Sequence, residues 1–166
     1  MSDRIRYVHT NLVARNWKGL VEFYVAAFGC KIKPPERNIK GDWIDSLTTI
    51  RRAHIQGTHL YLPGYGKDGP TLEVFQYSPS VRSKLSKVNI PGFAHIAFSV
   101  TDVERILSKV EKHGGSRVGQ VVSAVIEGVG ALNVVYARDP EGNIIEIQKW
   151  NGSPKKMKGK KGNRKR

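Results

Sequence analysis

Cysteine is nearly missing from this chain: Cys30 is the only one in 166 residues. No intramolecular disulfide can form and no multi-thiolate metal site can be built within one chain, so any metal would fall to histidine and carboxylates. A reducing compartment suits such a chain, and the expected location is cytoplasmic. Long apolar runs are missing too. The most apolar region, Val121 to Ala137, is broken by Glu127, Gly128 and Gly130, and the opening MSDRIRYVHT carries charges where a signal peptide has its apolar core. Neither a membrane span nor secretion is expected. Acids are absent from Ser153 onward, where eight Lys or Arg stand among glycines; subtracting those eight from the net charge of +14 leaves +6 for the first 152 residues. The tail 151–166 is expected to be disordered. Such a tail suits nucleic acid, an acidic surface or nuclear targeting, and equally a solvated end that keeps the protein in solution.

What is present is a repeat. Sliding the chain by 86 residues lays His9 on His95, Asn16 on Asp102, Leu20 on Ile106, Val21 on Leu107, Gly29 on Gly115 and Ile32 on Val118 without a gap. A second alignment lays Gly69 to Tyr77 on Gly142 to Trp150, which puts Glu73 on Glu146. The two copies span 1–77 and 92–150, with a linker at 78–91. Each is expected to run strand, helix, then three strands.

In the first copy, Ile5 to Leu12 reads as a strand. Asn16 caps a helix from Trp17 to Phe28, with Trp17, Leu20, Val21, Tyr24 and Phe28 on one stripe, and Gly29 ends it. Lys31 to Pro35 begins a strand that breaks at the two prolines. Ser46 to Ile50 and His54 to Leu62 read as strands, and Gly64 to Gly69 is a loop leading into the Glu73 strand. In the second copy, a helix from Val103 to His113 is followed by strands at Arg117 to Val122, Ala131 to Arg138 and Ile144 to Trp150. In the first copy the Glu stands 64 positions after the His, and in the second 51. The surplus falls between Ile39 and Gly69, where substrate-specific loops are expected.

Glu73 and Glu146 interrupt apolar strands, where an unpaired carboxylate would be forced to protonate or would cost several kcal/mol. Strand parity places their partners. Val8, Thr10 and Leu12 take the helix side, as do Ile96, Phe98 and Val100, so His9 and His95 look the other way. Leu72 and Val74, and likewise Ile145 and Ile147, leave Glu73 and Glu146 on that same helix-free side. If the two sheets pair with those faces inward, His9, Glu73, His95 and Glu146 share one cavity. Two carboxylates and two imidazoles are balanced there by one divalent ion, with Zn, Ni, Co, Mn and Fe(II) all suited to the set. The other histidines have no counterparts in the repeat. His54 and His59 read as surface or pocket-rim residues, and His113 as a helix-terminal cation.

The sequence resembles the vicinal oxygen chelate superfamily, which includes lactoylglutathione lyase (glyoxalase I), methylmalonyl-CoA epimerase, extradiol dioxygenases and the fosfomycin and bleomycin resistance proteins. The resemblance is carried by His9-Thr10-Asn11-Leu12, Phe23-Tyr24, Phe28-Gly29-Cys30-Lys31, the Glu73 strand, Gly92-Phe93-Ala94-His95-Ile96-Ala97-Phe98 and Asp139-Pro140-Glu141-Gly142-Asn143-Ile144-Ile145-Glu146. It implies an α+β fold of tandem βαβββ modules forming a curved, incompletely closed barrel-like sheet with the helices outside. It also implies a metal held by His9, Glu73, His95 and Glu146, a set similar to that of glyoxalase I. Four ligands on an octahedral ion leave two positions for substrate oxygens, which disfavours a dioxygenase.

The reaction implied is proton transfer beside a carbonyl, with the metal as Lewis acid for an enediolate and Glu146, or else Glu73, as general base. In glyoxalase I the substrate would be the hemithioacetal of a 2-oxoaldehyde and glutathione. One departure bears on glutathione: the resembled glyoxalases tend to carry Arg four residues after the first His, and this chain has Val13 there, with Arg15 nearby. The alternatives are an extradiol-type dioxygenase or epimerase in the same cavity, or a metal-free ligand-binding or resistance protein. Pairing of the modules within one chain and exchange between the two chains of a homodimer are both open.

Overall fold

The computed structural model describes residues 5–81 and 87–151. The basic tail, apart from Asn151, lies outside the described residues, as does 82–86 of the linker. Twelve elements are described: β1 (His9–Val13), α1 (Trp17–Phe28), β2 (Lys31–Lys40), α2 (Asp42–Thr48), β3 (His54–Tyr61), β4 (Thr71–Ser78), β5 (His95–Ser99), α3 (Val103–Lys112), β6 (Ser116–Arg117), β7 (Val122–Ile126), β8 (Gly130–Arg138) and β9 (Ile144–Asn151). Among the described residues the fold is α+β, with two mixed sheets and no closed barrel. One sheet has the order β1-β4-β3-β2; the other has β5-β9-β8-β6, with β7 also paired to β8. In both, the first strand runs parallel to the last and the rest of the sheet is antiparallel.

Both long helices end where local chemistry ends them. The Asn16 side chain accepts from the Gly19 N–H, and Gly29 closes α1 in the left-handed conformation at φ 72°. Asp102 caps α3 through the Arg105 N–H, and His113 closes its far end. Each helix buries an apolar stripe on its own sheet, and the helices also pack on one another. One core therefore runs through both modules, from Leu12, Leu20, Tyr24, Leu72 and Val74 to Leu107, Val110, Ile145 and Ile147. Fully burying a side chain of this kind is worth about 1.5–3 kcal/mol.

Three strand expectations are corrected. β2 does not stop at Pro34 and Pro35 but passes through them to Lys40, with a break in register between Lys33 and Arg37. It is an edge strand, where proline removes no needed ladder bond and a bulge absorbs the extra residues. Ser46 to Ile50 is not a strand, because Asp42–Thr48 forms α2. Asp45 accepts from the N–H groups of Arg52 and Ala53, and Ile44 is buried against Ala53, Ile55 and Phe75. Arg117 to Val122 is likewise not one strand. A two-residue β6 and a separate β7 replace it, so the second module carries four strands after its helix.

The modules are pinned together by one turn. The Tyr24 hydroxyl, fully buried on α1, donates to Asp139 Oδ2 at 3.0 Å. Asp139 also accepts from the N–H groups of Glu141 and Asn143 and from the Asn143 amide. Burial raises both the Tyr24 and the Asp139 pKa, and for Asp139 these bonds partly offset the rise. Two residues on, Glu141 accepts from the backbone N–H groups of Arg15 and Asn16 and from the Arg15 guanidinium. The Phe28 and Phe98 rings stack across the same seam at 4.2 Å.

Replacing Tyr24 with Phe leaves Asp139 one donor short in a buried position, so it should lower unfolding free energy by about 1–3 kcal/mol in a denaturant titration. Cys30 is 2 % exposed and its thiol is pushed up to about 12 by burial. Native protein at pH 8 should therefore resist alkylation by iodoacetamide, while the unfolded chain takes up one equivalent.

Candidate functional site

The core side of each sheet fixes what its other side carries. On β4, Leu72 and Val74 are buried under α1, so Thr71, Glu73 and Phe75 take the opposite face. The ladder brings Asn11 of β1 and His59 of β3 level with Glu73. His9, two residues before Asn11, joins them. On β9, Ile145 and Ile147 are buried, and Glu146 stands level with Ala97 of β5 and Tyr136 of β8, with His95 two residues before Ala97.

The same imidazole–carboxylate contact results in both modules. His9 Nε2 lies 3.5 Å from Glu73 Oε2, and His95 Nε2 lies 3.5 Å from Glu146 Oε2. Both carboxylates are sheltered, with 12 % and 17 % of their side chains exposed, while both imidazoles are more open at 40 % and 32 %. Ligands around a divalent ion at about 2.1 Å stand about 3.0–3.4 Å apart, so each pair is spaced to grip one side of such an ion. The donor set of two imidazoles and two carboxylates also fits a divalent metal. The structure does not bring all four together, however: among the described residues no group of three or more His, Cys, Asp or Glu is arranged to hold a metal. The chain carries two such pairs, one on each sheet, each a candidate half-site.

The half-sites differ in their supports. Glu73 also meets His59 Nε2 at 2.9 Å and accepts from the Asn11 amide at 2.8 Å. His59 is thus no rim residue. Its Nδ1 is 3.0 Å from the Thr71 hydroxyl, and its ring stands edge-on to those of His9 and Phe75. Repeat logic could not find it, since the second module has no equivalent. The available signal was alternation along β3, which puts Ile55, Gly57 and His59 on one face. Around Glu146 the corresponding neighbour is Tyr136, whose phenol is raised by burial and by its hydrogen bond to Glu146. His54 is as expected at the surface, bonded to Asn38.

Two further residues settle local questions. Val13 stands on the same face as Glu73, half exposed, and Arg15 is engaged with Glu141 rather than turned to the site. α2, built from the extra residues of the first module, packs its Ile44 on Phe75 and Ile55. It therefore covers part of the face that bears Glu73 and has no counterpart over Glu146.

Two modules of strand, helix and further strands, each facing an imidazole to a carboxylate on the side away from α1 and α3, define a paired-module α+β protein with a polar centre on each sheet. The chain belongs to the Glyoxalase/Bleomycin resistance protein/Dioxygenase superfamily, whose profile matches residues 6–147. Its fold is similar to that of a glyoxalase family protein from Bacillus cereus, at 21 % identity and TM-score 0.77, covering 91 % of this chain and 97 % of that one. A genomically encoded fosfomycin resistance protein from Listeria monocytogenes matches at 13 % identity and TM-score 0.56, covering 91 % and 96 %. A glyoxalase I mutant from Zea mays matches at 18 % identity and TM-score 0.60, covering 86 % of this chain and 44 % of that one. No curated protein matches by sequence.

Burial lowers the His59 pKa, Glu73 opposes the shift, and the charges of Arg37, His9 and Lys33 add to it. In metal-free protein His59 should therefore titrate below the usual 6.5 when followed by NMR of the ring protons. Glu73→Gln should lower it further, because the one group that favours the imidazolium is gone.

Proposed function

We propose that this protein is a divalent-metal-dependent enzyme resembling lactoylglutathione lyase, catalysing proton transfer next to a carbonyl of a small oxygenated substrate. The observation that carries this reading is the repeated 3.5 Å contact of His9 with Glu73 and of His95 with Glu146, on the face of each sheet opposite α1 and α3. His9, Glu73, His95 and Glu146 would hold the metal, which when bound supplies a Lewis acid for negative charge developing on substrate oxygen. A second copy of the chain would bring its complementary half-site to each module, since one chain leaves the halves apart. Exposed apolar residues support this contact. Val13 flanks the first half-site, and Val122, Ile126 and Trp150 share the face of Glu146.

The chain's own residues divide the work. Glu73 is held by both His59 and Asn11, which fixes its orientation. Glu146 is less tethered and is the better general base, taking the proton from the carbon beside the carbonyl and returning it to the neighbouring carbon. Tyr136 donates to Glu146 and steadies its charge. The sheltered carboxylates limit water at the reacting carbon. Glutathione has weaker support than the proton transfer, because Val13 is apolar and Arg15 is paired with Glu141.

A second reading, a metal-free ligand-binding or resistance protein, is favoured by one observation: among the described residues no buried side-chain polar atom lacks a partner. Metal analysis separates the two. One divalent ion per complete site and a dimer by light scattering are expected, whereas gently purified protein that takes up no divalent ion sinks the enzyme reading. A panel of 2-oxoaldehydes, with and without glutathione, should give metal-dependent turnover. Glu146→Gln should reduce it at least about 100-fold, the usual scale for a general base, while the melting temperature holds. Collapse of the melt would make Glu146 structural.

A further inference from the structure

The first module carries two cations, Lys33 and Arg37, on the face of its half-site, whereas the Glu146 face carries one, Arg138, which lies level with His95 and donates to the Gly142 carbonyl. Lys33 of β2 stands opposite His59 of β3, which stands opposite Glu73 of β4, so the three side chains form one row across the sheet. Arg37 stands opposite Gly57, one ladder step along the same face. The two extra residues between Lys33 and Arg37 make an even insertion, so both point to the same side as Glu73. Both are half-buried, unlike Lys31 and Lys40 at the ends of the strand. Gly57 is closely packed on β4 and admits no side chain of its own, since an added Cβ would meet the Val74 carbonyl oxygen at 2.0 Å and the Phe75 ring at 2.5 Å.

Neither cation is consumed by the fold. Among the described residues neither belongs to an ion pair. The Lys33 ammonium rests over the Tyr61 ring at 5.4 Å, and Arg37 donates one N–H to the Pro35 carbonyl, which leaves its other donors unspent. The Glu73 carboxylate in that row is already met by His9 and His59, so the two cations have no counter-charge of their own among the described residues. In the other module, β7 and β8 place Val122, Ala124, Leu132 and Val134 together on the Glu146 face as an uncharged patch, with Arg138 at the opposite end of β8.

We propose that Lys33 and Arg37 form an oxyanion-binding subsite beside Glu73, so that the substrate is a carboxylate, phosphate or phosphonate carrying an apolar body. This deepens the functional reading above and rests on it for the position of the reacting centre. The anionic end lies along β2, the reacting carbon lies between the half-sites, and the apolar end lies on β7 and β8. Arg37 supplies a planar fork for two oxygens, and Lys33 a point charge.

The test uses phenylphosphonate, which has both an oxyanion and an apolar ring, titrated into full-length metal-free protein at physiological ionic strength by calorimetry. Metal-free protein keeps direct ligation of the phosphonate by a metal out of the measurement. Phenylphosphonate should bind at least about tenfold tighter than neutral benzyl alcohol, as expected for a charge-assisted contact of about 1.4 kcal/mol or more. The double variant Lys33→Gln/Arg37→Gln should lose that advantage. Arg51→Gln/Arg52→Gln removes the same charge from an exposed turn and should keep it. Equal binding of the two probes, or equal loss in both double variants, overturns the proposal. Failure of the enzyme reading shows separately, as absent metal uptake with the phosphonate preference intact.

Discussion

Everything on the functional faces follows from side-chain alternation along β4 and β9. A strand has two sides, and a helix can cover only one of them. Once Leu72 and Val74, or Ile145 and Ile147, are committed to the core, the intervening Glu has no choice of direction. A carboxylate so placed on an apolar strand demands a counter-group, and the parallel neighbour strand supplies an imidazole from the same side. The polar pairs are therefore a by-product of the packing rule that builds the core. They do not depend on long loops to position them.

The modules are joined on the core side. The Asp139–Asn143 turn receives the Tyr24 hydroxyl and, through Glu141, the start of α1, and it leads directly into β9. The strand carrying Glu146 thus begins from a turn anchored on the other module's helix. Asp139, Pro140, Gly142 and Asn143 are turn-forming residue types, which accounts for the turn itself. Only the fold shows that the Asp139 and Glu141 oxygens bind the opposite module.

How much the sequence disclosed varied with how local the cause was. α1 runs over the residues expected, because Asn16 and Gly29 act within a turn of the helix they bound. The faces taken by His9, Glu73, His95 and Glu146 were readable from parity alone. β2 and α2 were not readable, since their causes are distant. Pro34 and Pro35 are tolerated because β2 lies at a sheet edge, and Leu47-Thr48-Thr49-Ile50 looks like a strand until Ile44 finds its place on Phe75. His59 escaped for a different reason. Internal repetition highlights what the halves share and is blind to what only one of them has, and both α2 and the Lys33–Arg37 pair belong to that unshared class.

The helix α2 carries a consequence of its own. Were two near-equivalent halves to close on one another, as proposed above, they would make a pseudo-symmetric chamber in which an elongated guest could enter head first or tail first with similar energy. Capping one half and leaving its twin bare would remove that degeneracy. Such a chamber would have a polarity, and a guest's two ends would be distinguishable before any bond is made or broken.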